Sequence, residues 1–305
     1  MIIAITGGSG FIGSHLVNHH IKQGDQVRLL SRKKYQFMET SVKYYLGDLS
    51  DTNVDLSSFL DNVDILYNCA GEIKNESIMQ ELHVQGTKRL VYAAKGKIGR
   101  WVQLSSVGVY GKHQDGIITE NSKEMPHGIY EKTKNESDKI VENSNIPYSI
   151  LRPSNVFGAD MPNQSLRALL RNVQRGFFFF IGKENEFIVN YVHVIDVVNA
   201  LICCGNNEKA LGEVFNLSQS ITIDKMIASF VSEKKNVKNF LRLPKLCINL
   251  VVSIFGRLPN FPLTASRLDA LTSKCVYNSD KVQKILEFKY SMSLEERFKL
   301  FAKQK

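Results

Sequence analysis

The chain has 305 residues, room for one large domain with a smaller one appended. Apolar residues make up 43% and charged residues 23%, which excludes a disordered or fibrous chain and fits an ordinary globular protein. The formal charge is +9, but Lys and Arg are spread along the chain with no stripe that interleaves them with aromatic residues. A solvated basic surface is therefore expected, and no nucleic-acid partner.

Strands are predicted at Ile2–Thr6, Gln26–Ser31, Val42–Leu46, Ile65–Asn68, Trp101–Ser105 and Ser149–Leu151. Helices are predicted between them at Phe11–Gln23, Val54–Leu60, Ile78–Ala94 and Tyr130–Asn143. Alternation at this spacing argues for an α/β fold, a doubly wound parallel sheet covered on both faces. After about Pro153 the pattern loosens. Asn163–Arg175 and Asp196–Cys204 look helical, and Phe177–Ile181, Phe187–Val194 and Glu213–Leu217 look like strands. From Ile221 onward the chain reads as mostly helical. Residues 1–160 are thus expected to form a nucleotide-binding domain that also uses about 187–217. Residues 161–305 are expected to form a smaller, discontinuous substrate-binding domain.

The apolar stretch Leu246–Phe255 is far shorter than the ~20 residues needed to span a bilayer. It reads first as a core helix, with a membrane-surface helix as the sharper alternative. No transmembrane segment is expected. Ile2–Thr6 is too short for the apolar core of a signal peptide and has no basic residues before it. The five cysteines, Cys69, Cys203, Cys204, Cys247 and Cys275, show no CxxC or Cys/His spacing. No metal site is expected, and they read as reduced packing residues of a cytoplasmic protein.

The first strand runs straight into Gly7-Gly8-Ser9-Gly10-Phe11-Ile12-Gly13. Glycine is needed there for a tight turn, for close backbone approach to a pyrophosphate and for packing of helix on strand. Amides at the helix N-terminus then face the phosphates. Gly7, Ser9, Gly10, Phe11, Ile12 and Gly13 are the cofactor-binding candidates of this loop. At the end of the second strand, where an NAD site offers a carboxylate, the chain reads Ser31-Arg32-Lys33. Arg32 can pair with a 2′-phosphate and Ser31 can donate to it, so NADP is the expected cofactor, with NAD as the alternative. Asp48, beside Leu49 after the third strand, is placed to contact the adenine.

Tyr130 and Lys134 stand one helical turn apart. A neighbouring ammonium and an oxidised nicotinamide would lower the tyrosine pKa from about 10 and make it a usable acid/base. Ser106, at the end of the fifth strand, can hydrogen-bond the reacting oxygen. These three are the catalytic candidates.

With these motifs the chain resembles the extended short-chain dehydrogenase/reductases of the NAD-dependent epimerase/dehydratase family. The resemblance rests on the glycine loop, Gly47-Asp48-Leu49, Cys69-Ala70-Gly71, Ser105-Ser106 with Val109-Tyr110-Gly111, Tyr130/Lys134, Leu151-Arg152-Pro153-Ser154-Asn155-Val156-Phe157-Gly158 and Asn190-Tyr191-Val192-His193. It implies a Rossmann fold and hydride transfer with Tyr130 as acid/base, Lys134 as its partner and Ser106 as polariser. It adds Cys69, Ala70, Gly71 and Pro153 to the cofactor site and Asn155 to the substrate site. It implies a substrate domain, often for a nucleotide sugar, and a homodimer through the Ile78–Ala94 and Tyr130–Asn143 helices.

Two departures bear on specificity. His83 replaces the family's usual asparagine, and its role is open. Val189-Asn190 replaces the Arg-Asp of nucleotide-sugar epimerases, so a diphosphate-gripping arginine must come from elsewhere. Arg267 is the substrate-site candidate for it. Arg167, Arg171 and Arg175 recur every four residues and read first as a solvated helical face.

The expected function is hydride transfer at a carbinol or ketone carbon of a nucleotide sugar, as a 4-epimerase or 4-ketoreductase. Dehydration is disfavoured, because Val107-Gly108 rather than an acidic pair follow Ser106. One alternative is an NADPH-dependent reductase of a hydrophobic ketone, similar to a dihydroflavonol or sterol. Another is a non-catalytic NADP(H)-binding regulator, whose mark would be loss of the tyrosine or lysine.

Overall fold

The computed structural model describes residues 1–34, 42–111, 115–232, 240–255, 268–269 and 271–304. Its main sheet is built from seven strands: β1 (Ile2–Thr6), β2 (Gln26–Ser31), β3 (Val42–Leu46), β4 (Val63–Asn68), β5 (Ile98–Leu104), β7 (Tyr148–Pro153) and β11 (Glu213–Leu217). They run parallel in the order β11-β7-β5-β4-β1-β2-β3. Interior strand β1 is apolar from Ile2 to Ile5 because both its faces are covered. Edge strand β3 has no fully buried residue.

One face of the sheet packs against α1 (Phe11–Lys22) and α7 (Val194–Asn206), through Leu16, Val17, Val197 and Leu201. The other face packs against α2 (Ser57–Leu60), the helical run α3 (Glu76–Met79) to α4 (Gly86–Ala94), and α5 (Ile129–Glu142). The doubly wound parallel sheet is thus as expected from the strand–helix alternation. Of the 187–217 stretch, β11 completes the sheet and α7 covers it. By contrast β10 (Ile188–His193) pairs with β8 (Asn155–Phe157) and β12 (Gln219–Thr222) in a separate three-stranded sheet.

A second apolar core gathers α6 (Ser165–Gln174), α8 (Ile223–Val231), part of α9 (Lys245–Phe255) and the last helix, Leu294–Lys303. The short sheet of β9 (Phe179–Ile181) with β13 (Leu241–Leu243) adds to it, whereas β6 (Gly116–Ile118) with β14 (Cys275–Tyr277) forms a separate small cluster with Val107, Val109 and Tyr110. These pairings are long-range, so the mostly helical reading of the C-terminal part misses β12, β13 and β14.

The inner face of α5 is polar: Thr133, Lys134, Ser137 and Asp138 are all buried. Each residue finds a partner, although Asp138 Oδ1 has no hydrogen bond. Ser137 Oγ accepts from Gln103 Nε2 (2.9 Å) and meets Thr87 Oγ1 (2.9 Å). Asp138 Oδ2 accepts from Ser105 Oγ (2.7 Å) and from Arg152 Nε (3.1 Å) and Nη2 (3.0 Å). Arg152 Nη2 also reaches Glu124 at 2.7 Å. Thr133 takes a bond from His83.

His83 sits in a widened π turn, Gln80–Gln85, between α3 and α4. Such turns are costly and concentrate at functional sites. The Glu72 amide donates to Nε2 at 2.9 Å, so the ring proton lies on Nδ1, 2.8 Å from Thr133 Oγ1. The Thr133 hydroxyl in turn donates to the Tyr130 carbonyl at 3.1 Å. His83 is therefore a neutral bracket between the loop after β4 and the turn of α5 that carries Tyr130. Burial first, and the Lys134 charge second, push its pKa down to about 3.

The unfolded chain takes up a proton near the ordinary histidine value of about 6.5, which the folded chain refuses down to about 3. Stability from this group is therefore complete above pH 6.5 and drains away as pH falls toward 3, by about 3 kcal/mol at pH 4.5. Denaturant unfolding of the wild type and His83→Asn at pH 7.5 and 4.5 checks this. The wild type is expected to lose about that much more than the variant between the two pH values; equal losses would refute the assignment.

Candidate functional site

The glycine loop closes the C-terminal end of β1. Gly7 has φ +67°, and a Cβ there would lie 2.5 Å from the Cys69 carbonyl oxygen. A Cβ on Gly13 would lie 2.2 Å from the Gly7 oxygen. Both positions admit glycine only, and together they let α1 start against the loop. No side chain caps α1 and no acidic residue stands in its first turn, so its N-terminal amides face the cleft uncontested. Phe11 packs toward the second core and Ile12 toward the first. Their expected part in the cofactor site is thereby limited to backbone.

A cleft runs from this loop across the ends of the strands. Gly7, Ser9 and Gly10 form one wall, Ser31 and Arg32 the far end, Asp48 and Leu49 the side, and Cys69, Ala70 and Gly71 the floor. Ser31 is buried and accepts from the Lys33 amide at 3.3 Å, while Arg32 is exposed at the rim. Asp48 accepts from the Ser50 amide (2.9 Å) and hydroxyl (2.7 Å). Burial raises the Asp48 pKa, but the Ser50 bonds, aided by Arg32 and Arg89, outweigh it and hold it low. The Leu49 carbonyl accepts from Arg89 Nη2 at 2.5 Å. A cradle that Cβ atoms would fill, free amides and a basic far end fit a dinucleotide whose diphosphate lies over the loop.

Cleft residues that sequence reasoning missed include Thr6, Leu30, Ser50, Glu72, Ile78 and Leu82. Glu72 Oε1 accepts from three successive amides, Ile73, Lys74 and Asn75. Its signal in the sequence is its place directly after Cys69-Ala70-Gly71.

The catalytic candidates connect to this cleft through its residue Cys69, which interacts electrostatically with Lys134. Lys134 is buried, and its Nζ donates to the Leu104 carbonyl at the end of β5 (2.6 Å). Burial lowers its pKa, and Asp138 and Cys69 oppose that. Cys69 belongs to the cleft floor and feels the Lys134 charge in return. The Ser106 side chain accepts from the Gly108 amide at 3.1 Å and engages the Tyr130 hydroxyl. Tyr130 itself is pushed up to about 12 by burial, with Asp138 and Glu131 adding to the rise and Ser106 opposing it. The lowered tyrosine pKa expected from the Tyr/Lys spacing is thus not a property of the protein alone; Lys134 is spent on Leu104 and on the field of Asp138.

Beyond the cleft, Pro153 ends β7 and is buried beside Leu217. Asn155 is exposed at the start of β8, with its Nδ2 on the Asn190 carbonyl (3.0 Å). Val189 is buried in the second core and Asn190 ties β10 to β14 by donating to Cys275 O at 2.9 Å. Neither can grip a phosphate. Arg167 stacks on Phe301 and donates to the Ala159 carbonyl (2.6 Å), so it is a packing clamp, whereas Arg171 and Arg175 are exposed. Arg267 lies outside the described residues.

The comparisons with known proteins agree with this geometry. The chain matches the NAD dependent epimerase/dehydratase family over residues 3–218. The low-salt glycan biosynthesis protein Agl12 of Haloferax volcanii is 27% identical over 248 residues, spanning 74% of this chain and 79% of that one. The UDP-glucose 4-epimerase of Vibrio cholerae is 22% identical over 318 residues, spanning 97% and 93%. Among solved structures, UDP-glucuronic acid 4-epimerase from Bacillus cereus in complex with NAD superposes with a TM-score of 0.75 at 20% identity, over 98% of this chain and 94% of that one. The chain therefore belongs to the NAD dependent epimerase/dehydratase family and is an enzyme of the extended short-chain dehydrogenase/reductase type.

Proposed function

We propose that the enzyme transfers a hydride at a carbinol or ketone carbon of a nucleotide sugar, as a 4-epimerase or 4-ketoreductase. The observation that carries this reading is the Ser106–Tyr130 hydrogen bond, with Lys134 one helical turn along and electrostatically coupled to Cys69 of the glycine-lined cleft. A bound nicotinamide dinucleotide would supply the hydride donor or acceptor. Gly7, Ser9, Gly10 and the first amides of α1 would hold its diphosphate; Ser31, Arg32, Asp48 and Leu49 its adenosine end; and Cys69, Ala70, Gly71, Pro153 and Lys134 its nicotinamide half.

Tyr130 Oη exchanges the proton of the reacting oxygen, and Ser106 Oγ holds that oxygen in place. With its pKa at about 12 the phenol keeps its proton at neutral pH, which is the state that delivers a proton to a reduced ketone. Substrate identity draws support from the names of the epimerases above, and Asn155 and Arg267 stay substrate-binding proposals. Residues 161–305 are the proposed substrate-binding part. A cytoplasmic homodimer through α3–α4 and α5 completes the proposal.

The cofactor we propose is NADP(H). Arg32 at the rim, with no carboxylate at the end of β2, supports it. NAD, present in the Bacillus cereus neighbour, is the alternative.

Three measurements test these readings. Tyr130→Phe is expected to bind cofactor normally and to lose turnover by about 10²–10⁴-fold; near-normal turnover would sink the catalytic assignment. Arg32→Ala is expected to weaken NADP(H) binding about 10–100-fold, the worth of one charge-assisted bond, and to leave NAD unchanged. Equal effects on both cofactors, or tightly retained NAD in the purified protein, would point to NAD. A panel of UDP- and dTDP-sugars should contain a ligand that raises Tm by mass action; no shift across the panel would count against a nucleotide sugar.

A further inference from the structure

The outer surface of α9 is apolar and has no role in the site described above. Among the described side chains of α9, Ile248 and Val252 are the ones buried in the second core. The opposite side presents Leu246 (81% exposed), Leu250 (63%), Val251 and Ile254, with Asn249 and Ser253 beside them. The two-stranded sheet whose strand β13 leads into α9 carries further exposed apolar side chains. Leu241, 65% exposed, pairs with exposed Phe179, and Phe177 just before that strand is 76% exposed. A patch of this make-up is rare on a protein surface unless something covers it.

Charge indicates what the partner is. The segment 233–267, which contains α9, holds seven Lys or Arg against the single acid Glu233, so most of the chain's +9 resides there. In the described part, Arg242 stacks on Phe180 at 4.4 Å and pairs with Asp224, and Lys245 lies 5.4 Å over Phe187. Both flank the start of the apolar stripe. A second copy of the chain, docked face to face, would set two such basic segments against each other. An exposed apolar helix set in a strongly basic stretch of sequence matches anionic lipid instead.

Length decides the orientation. Eleven residues of helix span about 16 Å, roughly half of a bilayer's hydrocarbon core. Among the described residues no helix is long and apolar enough to cross a membrane. We propose that α9, with Phe177, Phe179 and Leu241 beside it, docks in the plane of an anionic phospholipid bilayer. Its leucines and isoleucine enter the acyl boundary, and Lys245 at its start meets the headgroups.

Flotation of the full-length protein with vesicles tests this directly. One set contains phosphatidylcholine only, the other one-third phosphatidylglycerol. The wild type is expected to float with the anionic vesicles and to be released by high salt, with about tenfold less bound to the neutral set. The double variant Leu250→Glu, Ile254→Glu changes only exposed side chains, so it should keep the wild-type Tm and yet stay in solution. A wild type that stays in solution with both vesicle sets overturns the proposal. So does a double variant that floats like the wild type, or a wild-type dimer that the double variant dissociates, since a second copy would then be the partner.

Discussion

Helix α5 carries both Tyr130 and Lys134, and it packs on the sheet with a polar face inward. An unmatched buried polar group costs about 1–3 kcal/mol, so four of them in one helix could stand only if each found a partner. The partners come from everywhere around it: His83 from the π turn, Gln103 and Leu104 from β5, Thr87 from α4, and Arg152 from β7. An apolar face tolerates sliding, because any methyl can meet any other. A set of directional bonds to four separate elements does not. The Asp138–Arg152 pair is the strongest of these, since removal of one member of a buried ion pair strands the other at a cost of about 3–5 kcal/mol. The geometry between Ser106 and Tyr130 follows from this docking.

The second half of the chain is joined by similar means. Asn190 receives Ser220 Oγ at 2.7 Å and donates to Cys275 O, so one buried amide holds β10, β12 and β14 together. Its neighbour Val189 fills the second core. The positions where nucleotide-sugar epimerases are expected to carry a phosphate grip are therefore used here for cohesion. Arg167, pinned on Phe301, is likewise removed from the candidates. What remains exposed along that helix is Arg171 and Arg175.

The parallel sheet was legible because each of its strands is a local apolar run bounded by glycine or polar residues. β1, β2, β3 and β11 begin and end where the pattern places them. The glycine loop was legible for a different reason: close approaches such as Gly13 to Gly7 leave only one residue type possible. Pairings such as β6 with β14 were not legible, because strands of three residues acquire their partners from more than 150 positions away. The inner face of α5 was hidden by its own polarity, since periodicity looks for apolar residues. His83 was unreadable for a related reason; its tautomer depends on a backbone amide from another loop. The Tyr130 pKa was read from the one charge in the sequence motif, whereas burial and the buried carboxylate nearby set it in the fold.

The strand order also bears on synthesis. The outer edge of β7 is covered by β11, and β11 begins about 60 residues after β7 ends. At roughly 5–20 residues per second, a ribosome leaves that edge open for some 3–12 s. During this interval the nascent sheet already has α5 but presents Ser149, Ile150 and Leu151 with unpaired backbone on one side, a template for association with other chains. Expression should then be most sensitive to substitutions in α7 and β11, which never touch the reacting centre, because they determine how soon the open edge is closed.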